Sequence, residues 1–547
     1  MLRMDEIDWN SGQPLTDDYI RRYAQTGELF DYNPWSASGW EQRAAWLDTE
    51  RAYGADRGRL ADALYAFNER AGNGLEALNA IERLRDPRAL CVVGGQQASL
   101  FTGPLLVLYK AVSLIQAARQ AEARLSRPVI PVFWIAGEDH DFEEANHVQV
   151  LTSDNKLEKI KLAHPGGPRT SVSRTVITAE QWEEALALFE QSLMPTEYKE
   201  GFVARLRAAV QGSSSLVDAF ARLMASLLGG EGLVLLDSDD PALRELEGPM
   251  FRRLVEQSGE LNLALAEGSS KLQSLGYEPQ VELHPRGANL FVYDDAGERI
   301  LLYADESGTG FTDRRGERRF SRDQVLRWAD ETPSRLSNNV LTRPLMQDYL
   351  LPVLATVLGP AEIVYWGQTK LAFHKLGMRM PVVAPRLVFT LLEGSVQKNM
   401  KKLELTLDDV MERLEEKQEA WLRQQDEWQV ERRFAEVVER FKADYEPLVA
   451  SLGQINPGLQ ALGATNIGKI VEQMDFLRNK AEDGLRTQNE AGLRQFARVG
   501  QSLNPGGKPQ ERVLNIAAYL NKYGEDWLFE LVRANVPLDG KLRICYM

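Results

Sequence analysis

The sequence predicts an α/β protein with a parallel-sheet core, inserted connecting regions and a long antiparallel helical hairpin. The first observation is a strand, a glycine turn, a helix and a second strand within positions 89–135, the order of a βαβ crossover in a parallel sheet. The second is that short apolar runs typical of buried strands recur further along the chain. The third is a charged stretch after position 393 whose apolar residues follow helical spacing.

Composition excludes several classes of protein. The 547 residues correspond to roughly three to four domains, and a content of 44% hydrophobic and 26% charged residues is typical of a globular chain. A net charge of −15 disfavours binding to nucleic acid, which requires basic surface. The acidic first ten residues contain no apolar stretch and do not predict a secretory signal, and no run of about 18 apolar residues predicts a membrane span. Because Cys91 and Cys545 are isolated in the sequence, we expect a cytoplasmic protein with reduced thiols and no zinc or disulfide framework.

The first part of the core is predicted over residues 86–150, after a helical region over 1–85. Ala89–Val93 is a short apolar strand that ends at a pair of glycines. A helix is predicted over 104–125, because its leading proline suits a first turn and its apolar residues follow helical spacing. Val129–Ile135 is the second buried strand.

Two insertions are predicted to interrupt the core. The first, over 151–230, is mostly helical. The core then resumes over 231–261 with a strand at Gly232–Asp237 and a helix. The second insertion, over 262–340, contains three β-like segments, and the last two flank a hairpin turn at 294–297. These segments are Gln280–Leu283, Leu290–Tyr293 and Arg299–Tyr303.

The core is predicted to be completed over 341–392. We expect a helix over 344–358 that Gly359 ends. A strand is predicted at Glu362–Trp366, and a further short strand at Met380–Pro385.

A coiled-coil-like hairpin is predicted over 393–502. Apolar residues over 403–445 recur at a spacing of three and four among charged residues, which predicts one long helix with a coiled-coil seam. A turn region at 453–458 precedes a second helix over 470–496. Residues 503–547 are expected to return to the core.

The loop after the first strand is the first candidate for a binding site. Its glycines let the backbone approach a ligand closely, and the helix behind it offers N–H groups and a positive dipole end to a phosphate or carboxylate. The loop matches neither GxGxxG nor GxxxxGK[ST], so it predicts neither a dinucleotide site nor a Walker site. An ordinary βα turn is the alternative. The predicted binding residues for an anionic or carbonyl group are Gly95, Gln96, Gln97, Thr102 and Gly103.

The end of the second strand carries four consecutive ionisable residues. Ligands of open α/β sheets bind beyond the carboxyl ends of the strands, and an imidazole with a pKa of about 6.5 transfers protons near neutrality. A solvated acidic loop is one alternative, and a metal site on two histidines and nearby carboxylates is a less favoured one. The predicted catalytic residues are Asp139, His140 and Asp141, and the predicted substrate-binding residues of this motif are Trp134, Glu138 and His147.

Two later motifs supply further candidates. Arg343 follows a threonine that suits a helix cap. A cation at that end of a helix is unfavourable, which indicates that Arg343 serves an anionic ligand or an ion pair. The second motif follows the strand predicted at 362–366, whose aromatic residues are expected in the core. The predicted substrate-binding residues of these motifs are Asn339, Arg343, Gln347, Gln368 and Lys370.

Three motifs occur together in this chain. They are GGQQ-x-x-LFTGP at 94–104, PVFWIAGEDHDF-x-E-x-NH at 131–147 and SNNVLTRPLMQ at 337–347. All three closely resemble the cysteine-adding ligase family of bacillithiol biosynthesis, and the segment 510–515 is similar too. The resemblance extends over essentially the whole chain.

The resemblance implies a Rossmann-like core with connecting insertions and a coiled-coil arm that supports a homodimer. It implies that L-cysteine is added to glucosaminyl-malate through an amide between the cysteine carboxyl group and the glucosamine amine. The family core is similar to class I aminoacyl-tRNA synthetases and nucleotidyl transferases, but residues 103–110 lack their His-x-Gly-His motif. The cofactor stays open, with ATP or another adenine nucleotide as the candidate.

Two other functions stay open at this point. One is a nucleotidyl-transferase-like or amide-forming enzyme that acts on another substrate. The other is a non-catalytic coiled-coil scaffold for a thiol-synthesis complex. We expect the partners to be small molecules and a second copy of the chain, and neither nucleic acid nor a membrane.

Overall fold

The structure is a computed structural model that describes residues 2–152 and 154–547. The chain forms two compact units. The first comprises Met1–Leu391 together with Glu511–Met547, and the second comprises Leu392–Gln510. The finer boundaries predicted within these units remain predictions.

Strands and helices are interspersed through most of the chain. The strands are β1 (Met4–Ile7), β2 (Leu90–Gln96), β3 (Val129–Ile135), β4 (His147–Leu151), β5 (Leu157–Lys161), β6 (Val234–Asp237), β7 (Gly287–Tyr293), β8 (Arg299–Ala304), β9 (Gly310–Thr312), β10 (Arg319–Ser321), β11 (Leu336–Asn338), β12 (Val353–Leu358), β13 (Val382–Pro385), β14 (Val388–Leu392) and β15 (Leu542–Tyr546). The helices of the first half are α1 (Pro14–Arg21), α2 (Tyr23–Thr26), α3 (Ala37–Thr49), α4 (Arg57–Arg70), α5 (Leu75–Arg83), α6 (Leu105–Leu125), α7 (Phe142–Ala145), α8 (Ala179–Ser192), α9 (Lys199–Val210), α10 (Leu216–Leu228), α11 (Pro241–Glu256) and α12 (Ser258–Ser274). The later helices are α13 (Arg322–Glu331), α14 (Arg343–Leu350), α15 (Pro360–Gly367), α16 (Lys370–Lys375), α17 (Gly394–Lys402), α18 (Leu407–Glu412), α19 (Leu414–Gln425), α20 (Val430–Leu452), α21 (Pro457–Gln488), α22 (Glu490–Leu503), α23 (Ala517–Tyr523) and α24 (Asp526–Arg533).

A five-stranded parallel sheet forms the centre of the first unit, in the order β13-β12-β2-β3-β6. Helix α6 connects β2 to β3, as predicted. Successive residues of β2 alternate between the two faces: Val92 packs with α6, and Cys91 and Val93 pack into the cluster on the other face. Buried apolar side chains therefore cover both faces, which is the arrangement of an α/β sheet. The predicted α/β fold with a parallel-sheet core is confirmed.

The strand predicted at Glu362–Trp366 is wrong, because this segment lies in α15. The strand beside β2 is β12, which the sequence assigns to a helix over 344–358. Every residue of β12 is buried, and a short apolar run of this kind suits a helix as well as a strand. The start of α15 carries the signal that was missed: Gly359 is the N-cap, a proline follows it, and the Glu362 carboxylate accepts the Gly359 N–H at 2.6 Å.

The inserted regions agree with the prediction only in part. The segments predicted at 290–293 and 299–303 are confirmed as the antiparallel pair β7 and β8, and Gly297 in their turn has a φ of 83° that favours glycine. They belong to a sheet of order β10-β9-β8-β7-β11. The segment 280–283 is not a strand, and the boundary predicted at 262 lies inside α12. The first insertion contains the helices α8, α9 and α10, and it also contains the hairpin β4–β5, which was not predicted.

The second unit contains the predicted helical hairpin. Helices α20 and α21 pack together and are joined by the short connection 453–456. Gly463 allows their close approach, since a Cβ at this position would lie 2.5 Å from Val449 Cγ1. The predicted turn is confirmed.

The single helix predicted over 403–445 is wrong, because the segment is divided among α18, α19 and α20. Asp426 makes one of the breaks. Its carboxylate accepts the backbone N–H groups of Trp428 at 3.1 Å and Val430 at 2.7 Å. An aspartate that bonds its own downstream backbone in this way ends one helix and begins the next.

The last residues of the chain return to the first unit, as expected. Strand β15 pairs antiparallel with β1, with Cys545 opposite Met4. Helix α24 packs on α6, where Gln116 Nε2 donates to the Leu531 carbonyl at 2.8 Å and Gln116 Oε1 accepts the Val536 N–H at 2.8 Å. The C-terminal segment thus covers one side of the crossover helix.

Candidate active site

A cavity of about 450 Å³ lies at the carboxyl ends of β2 and β3, the edge at which open α/β sheets bind ligands. The inserted strands β7, β8 and β11 supply part of its wall, and residues of α14 and α15 supply another part. The lining residues are Gly95, Gln96, Gln97, Trp134, Ala136, Glu138, Asp139, His140, Glu144, Phe291, Arg299, Asn338, Asn339, Val340, Arg343, Glu362 and Tyr365.

Asp139 is an oriented and accessible carboxylate at the end of β3. Gln97 Nε2 donates to its Oδ2, and its Oδ1 accepts the N–H of His140 at 2.7 Å. About a third of the Asp139 side chain (34%) remains exposed. Gln97 Oε1 and Trp134 Nε1 are buried, and neither has a hydrogen-bond partner within the described chain. Unpartnered polar atoms of this kind require an explanation, and a bound polar ligand supplies one.

Glu138 is a buried carboxylate that holds the elements of the site together. Its Oε2 accepts hydrogen bonds from Arg244 Nη2 at 2.8 Å, Ser337 Oγ at 2.9 Å and the Asn338 N–H at 3.0 Å. The side chain is 6% exposed, and that of Arg244 is fully buried. This buried pair ties the end of β3 to β11 and α11, so it holds the inserted sheet against the core.

His140 is held from the side of the inserted sheet. Arg299 Nη1 lies 2.7 Å from His140 Nδ1, and the Phe291 ring lies 5.6 Å from the imidazole, centroid to centroid. Burial, followed by the positive charges of Arg299 and Arg169, lowers the pKa of His140 to about 4. The imidazole is therefore neutral near pH 7.

Arg343 lies at the wall formed by α14 and α15 with only neutral hydrogen-bond partners in the described chain. Although burial acts to lower its pKa, the nearby charges of Glu362 and Glu138 raise the pKa without forming an ion pair. Its Nη1 donates to Gln347 Oε1 at 2.9 Å and its Nη2 donates to the Tyr365 hydroxyl at 3.1 Å. Both partners are neutral, and within the described residues no carboxylate forms an ion pair with this guanidinium. A guanidinium in this situation suits the carboxylate or phosphate of a ligand.

Glu362 adds a carboxylate near this wall. Its Oε2 accepts from the Gly359 N–H and from Lys110 Nζ, which also donates to the Gly95 carbonyl at 2.8 Å. The Lys110 side chain is fully buried, and that of Glu362 is 21% exposed. The pair thus connects α6, the end of β2 and the start of α15 beneath the cavity.

Comparison with known proteins shows the family. The model described as the bacillithiol biosynthesis BshC N-terminal Rossmann-like domain matches residues 2–387, and that described as the BshC C-terminal coiled-coil domain matches residues 389–547. The chain belongs to the BshC family. The Rossmann-like core and the coiled-coil region that the resemblance implied are therefore confirmed.

Curated relatives of the BshC family match the chain over nearly its full length. A protein of Geobacillus thermodenitrificans is 36% identical over 550 residues, which cover 100% of both chains. One of Symbiobacterium thermophilum is 38% identical over 534 residues, which cover 95% of each. Both carry the name "Putative cysteine ligase BshC".

The structure brings many of the predicted residues of this BshC-family chain to one cavity. They come from the loop after β2, the end of β3 and the segment before α14, as expected for strand ends of a parallel sheet. The predicted residues that line the cavity are Gly95, Gln96, Gln97, Trp134, Glu138, Asp139, His140, Asn339 and Arg343.

Thr102 and Gly103 do not line the cavity, and the N-terminus of α6 is not open to a ligand. The side chain of Asn515 donates to the carbonyls of Phe101 and Gly103, and the Leu105 N–H donates to the Leu514 carbonyl at 2.9 Å. Pro104 is the N-cap of α6, one position before its first turn. A C-terminal segment more than 400 residues away in sequence thus packs on this loop and occupies the first N–H of α6, which the sequence offers to an anion.

Five other predicted residues also lie outside the cavity lining. Asp141 caps α7 by accepting the Glu144 N–H, and His147 begins β4, where its ring bonds the Glu143 carbonyl. Gln347 is fully buried and holds Arg343 from behind.

The last two lie beyond α15, because the strand predicted to precede them is a helix. Gln368 Nε2 donates to Ser269 Oγ at 2.8 Å. Lys370 Nζ donates to the carbonyls of Glu28 and Phe30, both at 2.9 Å. Both residues therefore have local structural partners.

Eight lining residues were not predicted as site residues: Ala136, Glu144, Phe291, Arg299, Asn338, Val340, Glu362 and Tyr365. Phe291 and Arg299 lie in the inserted β segments and carry no local signal of a role. A local signal could have identified Glu362 and Tyr365. The Gly-Pro-x-Glu sequence at 359–362 is typical of a helix start, and it places α15 directly after the carboxyl end of a core strand.

The structure adds three observations about ligands and membranes. Within residues 2–152 and 154–547, no three His, Cys, Asp or Glu side chains are grouped to hold a metal ion. The N-terminus of α6 does not offer a phosphate-binding site to the cavity, because the C-terminal segment covers it. In the same described residues, no helix has the length and apolar content required to cross a lipid bilayer.

Proposed function

We propose that this chain joins the carboxyl group of L-cysteine to the amine of glucosaminyl-malate and so completes bacillithiol. Membership of the BshC family along the whole chain supports the pathway, and the name cysteine ligase that its relatives carry supports cysteine as a substrate. The observation that carries the proposal is that one cavity holds an accessible carboxylate, Asp139, and a guanidinium, Arg343, whose hydrogen-bond partners are neutral.

The Arg343 guanidinium supports glucosaminyl-malate as the second substrate in this proposal. Glucosaminyl-malate carries two carboxylates, and Arg343 has N–H donors with only neutral protein partners. We assign Arg343 to a malate carboxylate, which places the other end of the sugar toward the strand ends. A charge-assisted hydrogen bond to a guanidinium is among the stronger polar contacts in proteins.

Asp139 is the proton acceptor in this proposal. As the amine nitrogen forms the C–N bond with the cysteine carboxyl carbon, it loses a proton to the Asp139 carboxylate. The C–O bond at the same carbon breaks, and its electron pair leaves with the oxygen, which would depart on the phosphoryl or nucleotidyl group that has activated the carboxyl group; the products are the amide and that phosphate-bearing group. Asp139 fits because Gln97 and the His140 N–H orient it while part of it remains exposed.

Two features of the proposal concern the setting of the reaction. A carboxyl group requires activation before it condenses with an amine in water. A nucleoside triphosphate is the class of co-substrate that would supply this activation. The lining residues form no recognisable phosphate cradle, so we assign none of them to this co-substrate. We place the reaction in the cytoplasm, because both cysteines are free and buried, as suits a reducing compartment.

The test is synthesis of bacillithiol by the purified full-length chain from L-cysteine and glucosaminyl-malate, with and without ATP, followed by mass spectrometry. Asp139→Asn is expected to lower kcat at least about 100-fold, the usual effect of losing a general base. Asp295→Asn is the matched control, because its side chain is 89% exposed in the hairpin turn.

Three results would contradict parts of the proposal. Absence of the thiol product under every nucleotide condition would reject the substrate assignment. Full activity of Asp139→Asn would reject only the role of that carboxylate. Product that forms only after other pathway proteins are added would favour the scaffold function.

A further inference from the structure

The contact between Arg299 and His140 determines which nitrogen of the imidazole carries a proton. Arg299 Nη1 lies 2.7 Å from His140 Nδ1. A guanidinium only donates hydrogen bonds and keeps its charge in proteins, so Nδ1 accepts this bond and carries no proton. A neutral imidazole has one N–H, and in His140 it must be on Nε2.

Arg299 is itself fixed in place. Its Nε donates to Ser337 Oγ at 3.0 Å and its Nη2 donates to the Asn338 carbonyl at 2.7 Å. The guanidinium carbon lies 3.8 Å from the centroid of the Phe291 ring, and the side chain is 4% exposed. Because each of its nitrogens is occupied, Arg299 cannot turn to a substrate without breaking contacts to β11.

The remaining nitrogen of His140 faces the ligand space. His140 lines the cavity, and within the described residues its Nε2 has no hydrogen-bond acceptor. The carboxylates nearby do not change this assignment, since Asp139 Oδ1 lies 3.7 Å from Nδ1, the side occupied by Arg299. An N–H donor aimed into the cavity is thus available to a ligand oxygen.

We propose that Arg299 is a positioning residue that holds His140 as a neutral Nε2–H imidazole, and that this N–H donates to the carboxyl oxygen of cysteine that becomes negative as the amine adds. This inference rests on the proposed function for the identity of the oxygen, but not for the tautomer. A fixed donor aimed at a developing oxyanion is a large contributor to acyl-transfer catalysis.

The same geometry excludes His140 as the general base. Proton uptake at Nε2 would create an imidazolium in contact with the Arg299 guanidinium, with the charge of Arg169 also nearby. The carboxylates of Asp139 and Asp141 favour the charged form but do not offset burial and the two arginines, and the pKa of His140 stays low. The proton of the amine therefore goes to Asp139.

The tautomer can be measured directly. Full-length protein labelled with ¹⁵N-histidine contains five histidines, and the His140 signals are those missing from His140→Gln. We expect an unprotonated Nδ1 and a protonated Nε2 between pH 5.5 and 7.5. A protonated Nδ1, or titration near the ordinary pKa of about 6.5, would overturn the proposal. This readout needs no substrate, so it is independent of the reaction assigned to the site.

Kinetics test the donor role. The side-chain amide of glutamine carries an N–H donor at a distance similar to that of imidazole Nε2–H, so His140→Gln is expected to keep at least tenfold more kcat than His140→Ala. The alanine variant is expected to lose about 100- to 1,000-fold in kcat with little change in the KM for cysteine. Equal loss in both variants would reject donation by His140.

Arg299→Lys separates positioning from general stability. The shorter, unforked cation cannot keep all three contacts, so we expect lower kcat and a histidine ionisation in the pH profile that moves upward from a pKa of about 4. An unchanged pH profile would reject the positioning role. His284→Gln is the control for a histidine exposed outside the cavity.

Discussion

At the scale of single residues, several polar groups of the cavity lack the hydrogen-bond or ion-pair partners that buried polar groups usually have. Arg343 has neutral contacts only, and Gln97 Oε1 and Trp134 Nε1 have none within the described chain. Arg244 and Arg299 show the opposite state, since their donors are engaged by protein groups. On this contrast we base the proposal that Arg343 binds ligand, whereas Arg244 and Arg299 hold the site together.

Arg343→Gln should raise the KM for glucosaminyl-malate by about 10- to 100-fold, because a hydrogen bond to a charged group contributes about 1.5–3 kcal/mol. Steady-state kinetics with the malate-bearing sugar and with glucosamine itself provide the measurement. With glucosamine, which lacks the carboxylates, the variant and the wild type should behave alike. Arg335→Gln, a surface ion-pair residue, is the control. An equal KM for wild type and Arg343→Gln with the malate-bearing sugar would contradict the assignment.

At the scale of elements, the ends of β3 and β6 carry a dense group of acids. Asp237 ends β6, and its carboxylate accepts from Ser173 Oγ at 2.9 Å. Gly137, beyond β3, leaves the space for it, since a Cβ there would lie 2.0 Å from Asp237 Oδ1. The arrangement packs two strand ends together at the edge of the sheet that carries the site.

This packing predicts a pH dependence of stability. Burial, and then the neighbouring charge of Asp239, raises the pKa of Asp237 to about 8, compared with about 3.9 in an unfolded chain. The folded state therefore keeps a proton that the unfolded state releases, and the stability that this group adds is complete below about pH 4 and is lost as the pH rises to 8.

The urea midpoint of unfolding should accordingly be lower at pH 8.5 than at pH 6.5. In Asp237→Asn, which cannot ionise, the difference between the two pH values should shrink. Asp295→Asn should retain the wild-type difference, because its side chain is 89% exposed. A pH dependence that is the same in Asp237→Asn and in the wild type would show that another group is responsible.

At the scale of the whole molecule, the helical hairpin of the second unit suggests self-association. Phe476 and Leu477 on α21 are each 59% exposed, and Leu462 on the same helix is 65% exposed. Large apolar residues repeated along an exposed helix are typical of an interface. We propose that this hairpin forms a homodimer with a second copy.

Sedimentation equilibrium of the full chain tests this proposal. We expect twice the chain mass of 61.6 kDa for the wild type, and the single-chain mass for Phe476→Glu combined with Leu477→Glu. Leu263→Glu is the matched control, since that residue is 72% exposed in the first unit. A monomeric wild type, or a dimer that survives the double substitution, would show that the hairpin has another role.

Local patterns predicted some elements well and others poorly. The strand at Val129–Ile135 and the turn after α20 were predictable because burial and turn formation are local properties of the chain. The segment 353–366 shows the limit of such patterns, because the sequence predicts a helix where β12 lies and a strand where α15 lies. A buried apolar run has no period, so only the Gly-Pro-x-Glu signal after it could have assigned the helix correctly.

The sequence by itself determined the α/β class, the family, and the positions of Asp139, His140 and Arg343 at the ends of elements. Only the tertiary structure decided that Arg299 of an inserted strand contacts His140 and that Asn515 occupies the loop before α6. The physical reason is that periodicity and turn chemistry record how a segment meets water, whereas the state of a polar group depends on which distant segment supplies its partner. For His140, that partner is the reason that we propose a donor in place of a base.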